Sequence, residues 1–218
     1  MAFSSDKGIY WKSADGTGTE ERLTTGGLAS SWSPNGPTLA FLRAGDIWTL
    51  PISGDRQPHQ VAETPSAEEQ AEFSPDGRWL AYTSNESGRD EVYVQAYPGP
   101  GPKHQVSVDG GIAPAWSRHG REIVYQVRSA KPGELTERRT FMSVPVTIKG
   151  RTFVADRPKA LFELPYPQTA LPVREYDVTP DGRRCLVVQD SGRPPTRVTE
   201  MILVQNWVEE LKRRVPTR

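Results

Sequence analysis

The chain has 218 residues, and its 27 Lys and Arg are matched by 27 Asp and Glu, so no net charge argues for nucleic acid or an anionic membrane surface as partner. Hydrophobic residues are only 35% while Gly (19) and Pro (20) are abundant, which fits short strands and many polar turns better than a helix-rich enzyme. The single cysteine, Cys185, excludes an internal disulfide and a Cys/His metal cluster.

The opening Met1-Ala2-Phe3-Ser4-Ser5-Asp6 lacks the basic stretch and apolar run of a secretory signal. No window reaches the roughly 18 apolar residues of a membrane span, so a soluble chain without membrane insertion is expected. Ala2 to Ser5, Gly8 to Trp11 and Glu21 to Thr24 read as three short strands. Then a motif begins to recur. Trp32-Ser33-Pro34-Asn35-Gly36 returns as Phe73-Ser74-Pro75-Asp76-Gly77, as Trp116-Ser117-Arg118-His119-Gly120 and as Val178-Thr179-Pro180-Asp181-Gly182. The intervals are 41, 43 and 62 residues, the last carrying an insertion, and periods of about 40–45 are those of β-propeller blades. The chemistry is that of a turn: Pro fixes φ, Asp or Asn tolerates unusual backbone angles, and Gly supplies φ > 0.

Each turn is followed by a second strand: Leu39 to Leu42, Leu80 to Thr83, Ile123 to Gln126, Leu186 to Gln189. Third strands come next at Ile47 to Leu50, Val92 to Gln95, Phe141 to Val144 and Met201 to Val204. Fourth strands are shorter and more polar, at Gln60 to Ala62, His104 to Ser107 and Lys159 to Phe162, as expected where a blade meets water. Ala2 to Ser5 aligns with Ala81 to Ser84, so the first blade enters at its second strand. The reading is an all-β propeller of about five blades, four of them complete or nearly so, over 1–27, 28–66, 67–111, 112–170 and 171–205. A short C-terminal helix over 206–215 follows, capped by Asn206 with Glu209 three residues on, and Trp207, Leu211 and Val215 at helical spacing. Such an arc leaves apolar end faces at Phe3, Trp11 and Leu203, so the ends are expected to pair with something: a second copy, in a homo-oligomer completing the propeller, or missing blades.

The repeated Ser-Pro-Asp-Gly-x-x-Leu-Ala-Tyr at 74–82 resembles the TolB-like, WD-repeat-like propellers of bacteria. The ending Ile202-Leu203-Val204-Gln205-Asn206-Trp207-Val208-Glu209-Glu210-Leu211-Lys212 looks like the close of propellers fused to membrane-bound bacterial serine/threonine kinases. The resemblance covers nearly the whole chain, and the repeated residues it rests on are turn and core residues. It implies a propeller of six or seven blades, more than this chain supplies, and an extracytoplasmic setting. No kinase glycine loop, catalytic-loop Asp or Asp-Phe-Gly motif is present, nor a Gly-x-Ser-x-Gly elbow.

His59, His104 and His119 have no i, i+4 partner and read as loop and strand-edge residues. Asp76, Asp181 and Glu72 read as turn-capping carboxylates. Asp6, Asp15 and Asp90 near glycines are the candidates for Ca²⁺, but no stretch matches a twelve-residue calcium loop, and no cofactor, metal site or catalytic residue is assigned. Most of the six tryptophans read as packing between blades. Trp79 and Tyr97, the latter opening the stiff Pro98-Gly99-Pro100-Gly101-Pro102 loop, are the exceptions. With Tyr166 and Arg174 they are the candidate ligand contacts; the charged insertion from Arg128 to Thr140 is a further loop. The leading expectation is a noncatalytic module binding a protein or small molecule. A hydrolase or lyase at the propeller channel, and a truncated fragment of a larger propeller, are the alternatives.

Overall fold

The computed structural model describes residues 1–62, 64–129, 137–166, 173–179, 182 and 184–188. The expected helix over 206–215 and the strand at 201–204 lie outside these residues. The described chain is all β, arranged as five antiparallel sheets in chain order.

The first sheet is β1 (Ala2–Ser5), β2 (Gly8–Trp11) and β3 (Glu21–Thr24). The second runs β4 (Leu28–Trp32), β5 (Thr38–Arg43), β6 (Asp46–Pro51) and β7 (His59–Gln60). The third runs β8 (Glu68–Phe73), β9 (Trp79–Ser84), β10 (Glu91–Ala96) and β11 (Lys103–Gln105). The fourth begins β12 (Ile112–Trp116), β13 (Glu122–Ser129) and β14 (Glu137–Lys149), and the long β14 is then shared by β15 (Thr152–Ala155) and β16 (Lys159–Tyr166). The fifth pairs β17 (Tyr176–Val178) with β18 (Cys185–Val187).

The repeated motif closes four β-hairpins, β4–β5, β8–β9, β12–β13 and β17–β18, in the same way. The N–H of Ser33, Ser74, Ser117 and Thr179 donates to the carbonyl five residues on, at 2.9, 2.9, 2.9 and 2.8 Å. Gly77, Gly120 and Gly182 sit at φ of 68°, 64° and 70°, the left-handed conformation that favours glycine. Gly36 is not left-handed, because Pro37 follows it and pushes the preceding residue toward extended backbone. Asp76 shows what the acidic position does: its carboxylate accepts the Ser74 hydroxyl (2.6 Å) and the Arg78 amide (3.1 Å).

The core lies between sheets rather than inside one. Ile9, Leu39, Phe41 and Leu50 join the first sheet to the second; Ala40, Phe73, Leu80 and Tyr82 join the second to the third. Trp79, Val92, Val94, Trp116, Tyr125 and Phe153 join the third to the fourth, and Val124, Phe141 and Tyr176 join the fourth to the fifth. The second, third and fourth sheets thus bury both faces only by having neighbours, as stacked repeats do.

One element departs from the strand pattern read in the sequence. The third strand expected at 141–144 continues to Lys149, where Gly150 (φ 61°) turns it into β15. The changeover is at Pro145, which has no N–H to donate: β16 pairs with residues 137–143 on one side of it and β15 with 146–149 on the other. The extra hairpin carries Phe153 into the core of the third sheet, with ring centroids 5.4 Å from Trp79 and 6.3 Å from Trp116.

Candidate functional site at the axis

The inner strands β4, β8 and β12 share one irregularity. Each is bulged against its partner, between Ala29 and Ser31, Glu69 and Glu72, and Ile112 and Ala115. Gln70 (φ 57°) and Ala113 (φ 54°) hold left-handed backbone there, a conformation that costs a non-glycine residue on the order of 1–3 kcal/mol. A bulge leaves a backbone N–H outside the ladder. Side chains from the preceding sheet satisfy amides along these strands. Ser4 Oγ accepts from Ala29 N (2.8 Å), Ser31 Oγ from Phe73 N (3.1 Å), and Thr83 Oγ1 and Gln70 Oε1 from Ala113 N (3.0 and 2.9 Å).

The bulges of β4 and β8 wall a cavity of about 230 Å³ shared with residues 173–177, the segment that leads into β17. Its polar lining is Ser30, Gln70, Arg174 and Asp177. Gln70 is only 8% exposed, and its Oε1 is committed to the Thr83 hydroxyl (3.0 Å) and the Ala113 amide. What it has left to offer a ligand is its NH₂ group. Arg174 is held on several sides: Nη1 bonds Glu72 Oε2 and the Pro114 carbonyl (3.0 Å), Nε bonds the Tyr176 carbonyl (3.0 Å), and Nη2 lies 3.7 Å from Asp177. Glu72 also accepts from the Trp116 amide (3.1 Å). Burial pushes the Glu72 carboxyl above its ordinary range, and the adjoining Arg174 works in the opposite direction. Tyr176 anchors the segment, with its hydroxyl 2.6 Å from the Ala113 carbonyl and 2.9 Å from that of Val124. The result is a preorganised polar wall: one amide donor group, one exposed carboxylate, and a guanidinium already paired with Glu72.

Comparison with solved structures decides the fold. A TolB-type protein from Agrobacterium tumefaciens superposes with a TM-score of 0.59 at 20% identity, over 83% of this chain and 66% of that one. TolB from Acinetobacter baumannii gives a TM-score of 0.51 at 18% identity, over 82% and 47%. The fold is that of the TolB-like β-propellers. The tricorn protease is similar at a TM-score of 0.50 and 14% identity, over 81% of this chain and 22% of that one. In sequence, tricorn protease homolog 1 of Streptomyces coelicolor is 32% identical over 93 residues, 41% of this chain and 8% of that protein. No protein-family model matches. The chain therefore spans two thirds or less of each of these relatives.

The TolB-like arrangement distributes the four candidate contacts rather than gathering them. Arg174 faces the axial cavity. Trp79 is 1% exposed and belongs to the core between the third and fourth sheets, packed on Phe153, which corrects the expectation that it stands apart from the packing tryptophans. Tyr97 is half-buried with its ring edge-on to Phe73 (4.9 Å), and with the loop to Pro100 it walls a side groove of about 520 Å³ next to His59 and Gln60. That groove is larger than the axial cavity but is lined by no carboxylate, lysine or arginine. Tyr166 ends β16, paired opposite Glu137. The histidines are equally dispersed, on β7, on β11 and in the turn at His119, and among the described residues no group of three or more metal-binding side chains converges.

Glu72 corrects a sequence expectation: it is a strand residue of β8 bonded to Arg174, not a turn cap, while Asp181 lies outside the described residues. Gln70, Asp177 and the ion-pair role of Glu72 were not singled out from the sequence. A signal was there: aligned on the aromatic residue before each turn, Gln70 and Glu72 occupy positions filled by Ala29 and Ser31 in one repeat and by Ala113 and Ala115 in another.

Proposed function

We propose that this TolB-like propeller module is a noncatalytic binding domain, and that an extended peptide-like ligand seats at the axial cavity against Gln70 and Asp177. The observation that carries the reading is Gln70, held in a strained left-handed conformation with its carbonyl already used and its amide NH₂ left at a cavity that also presents a carboxylate. A peptide group supplies the matching pair, a carbonyl for the Gln70 donor and an N–H for Asp177. Glu72 is engaged by Arg174 and Trp116, which disfavours it as a free acid–base catalyst. An extracytoplasmic setting, implied by the TolB likeness, is part of this proposal and is checked by cell fractionation.

Selection of a random peptide display library on the whole chain tests the reading. Enriched peptides should bind at least tenfold more weakly to Gln70→Ala and Asp177→Asn, while Tyr97→Ala in the side groove binds them as the parent does. Peptides indifferent to both axial substitutions, or a selection that enriches nothing, would overturn it.

A further inference from the structure

The turn of the fourth sheet keeps the backbone of its sibling in the third but loses the acid. In the third sheet the turn Ser74-Pro75-Asp76-Gly77-Arg78 neutralises itself. Asp76 takes the Ser74 hydroxyl (2.6 Å), the Arg78 amide (3.1 Å) and the Arg78 guanidinium (2.8 Å). The fourth sheet turns through Ser117-Arg118-His119-Gly120-Arg121 on the same frame. Ser117 N donates to the Glu122 carbonyl and Gly120 N to that of Ser117, as Ser74 N does to Trp79 and Gly77 N to Ser74. His119 stands where Asp76 would be. Arg121 stands where Arg78 does, and its guanidinium has no hydrogen-bond or ion-pair partner among the described residues.

The two turns pack side by side. A Cβ added to Gly120 would lie 3.6 Å from Pro75 Cδ. Between them opens a cavity of about 410 Å³, closed on a further side by residues 146–148 of β14. That side exists because β14 runs on past Pro145, and Val146 N ties it to the turn by donating to the Arg121 carbonyl at 2.8 Å. The charged and titratable lining is Asp76, Arg78, His119 and Arg121. Asp76 is the one carboxylate among them and is already engaged by Ser74 and Arg78. Arg121 therefore lines the cavity with its charge uncompensated. Pro75, Val146 and Ile148 make the rest of the wall largely apolar.

We propose that this cavity binds a small organic carboxylate, whose acid group does for Arg121 what Asp76 does for Arg78. A guanidinium presents paired N–H donors that match a carboxylate, and the partly enclosed setting screens the pair less than open water would. At ~30 Å³ for each water-sized group, the cavity is too large for the acid alone. The ligand therefore carries a compact aliphatic body, which lies against Pro75, Val146 and Ile148. The site shares no lining residue with the axial cavity.

The probe is 3-methylbutanoate, titrated into the ¹⁵N-labelled 218-residue chain while amide shifts are followed. Saturable shifts are expected at Gly120, Arg121 and Thr147. The uncharged isostere 3-methylbutanamide should bind at least tenfold more weakly. His119→Asp gives the fourth turn the acid of the third, so an internal carboxylate competes for Arg121; affinity should fall at least tenfold while the melting temperature does not fall. Arg121→Gln, at an exposed position, should give the same loss of affinity. Arg22→Gln removes an exposed cation from the first sheet and should bind as the parent does, which separates the site from bulk charge. No saturable shift, equal binding of the amide, or full affinity in either His119→Asp or Arg121→Gln would overturn the proposal. So would inorganic phosphate binding more tightly than 3-methylbutanoate at the same amides.

Discussion

A methyl group on Gly8 would land on the carbonyl oxygen of Thr24, where the backbone enters β2 at φ 140°. Both the clash and the backbone angle resist a side chain, so Gly8→Ala should destabilise the chain by about 1–3 kcal/mol in denaturant unfolding. Glu68 makes a different point at the same scale. It is 1% exposed, its Oε1 takes the Thr64 hydroxyl at 2.5 Å, and its Oε2 has no partner among the described residues. Burial pushes its carboxyl upward, with Asp46 and Glu86 adding to the effect and Thr64 and Lys103 opposing it. A folded-state pKa above the unfolded one means the folded state binds the proton more tightly. The contribution of Glu68 is therefore most favourable below the ordinary carboxylate range and declines as pH rises through the raised value. Glu68→Gln removes that decline. Thermal melts from pH 4 to 8 should show the variant gaining on the parent as pH rises; a constant difference across the range would contradict the assignment.

At the scale of elements, the interface between the third and fourth sheets tests which aromatic residues bear the packing. Trp79→Ala should cost about 3–5 kcal/mol, since the indole is enclosed by Phe153 and the third-sheet core. Tyr97→Ala, on a half-exposed ring at the groove, should cost clearly less, and equal losses would show the groove loop to be as structural as the core. The contrast also marks where the sequence was legible. The turns were readable because Pro, Asp and Gly act within five residues of chain, and the strands flanking them inherited their register from those turns. The β14–β15 hairpin was not, because its reason lies outside itself: Phe153 is a core residue only once Trp79 and Trp116 are in place beside it. The axial site was harder still. Arg174 and Glu72 are 102 residues apart, so no local pattern announces their ion pair. Trp79, set apart from the packing tryptophans in the sequence, is covered by Phe153 from the next sheet, which nothing within its own repeat announces.

For the whole molecule, the arrangement of the core predicts how it opens. The first sheet shares one interface, with the second, whereas the third is buried against neighbours on both faces. In a linear array of this kind, an end unit can open while the rest stays folded. Hydrogen exchange on two core variants separates this from all-or-none opening. Val92→Ala, at a fully buried site in the third sheet, should speed exchange there and in the fourth sheet while leaving the Tyr10 amide of the first sheet unchanged. The state in which only the first sheet has opened still contains the third sheet intact, so a defect there raises both ends of that local equilibrium equally. Ile9→Ala, fully buried in the first interface, should speed exchange at Tyr10, because every opening that exposes the first sheet begins from a native state it has weakened, while openings of later sheets that leave this interface intact are unaffected. If both variants speed Tyr10 and Val94 alike, the five sheets open as a single unit, and the contact of Arg174 with Glu72 of the third sheet, rather than the neighbour interfaces alone, binds the arc together.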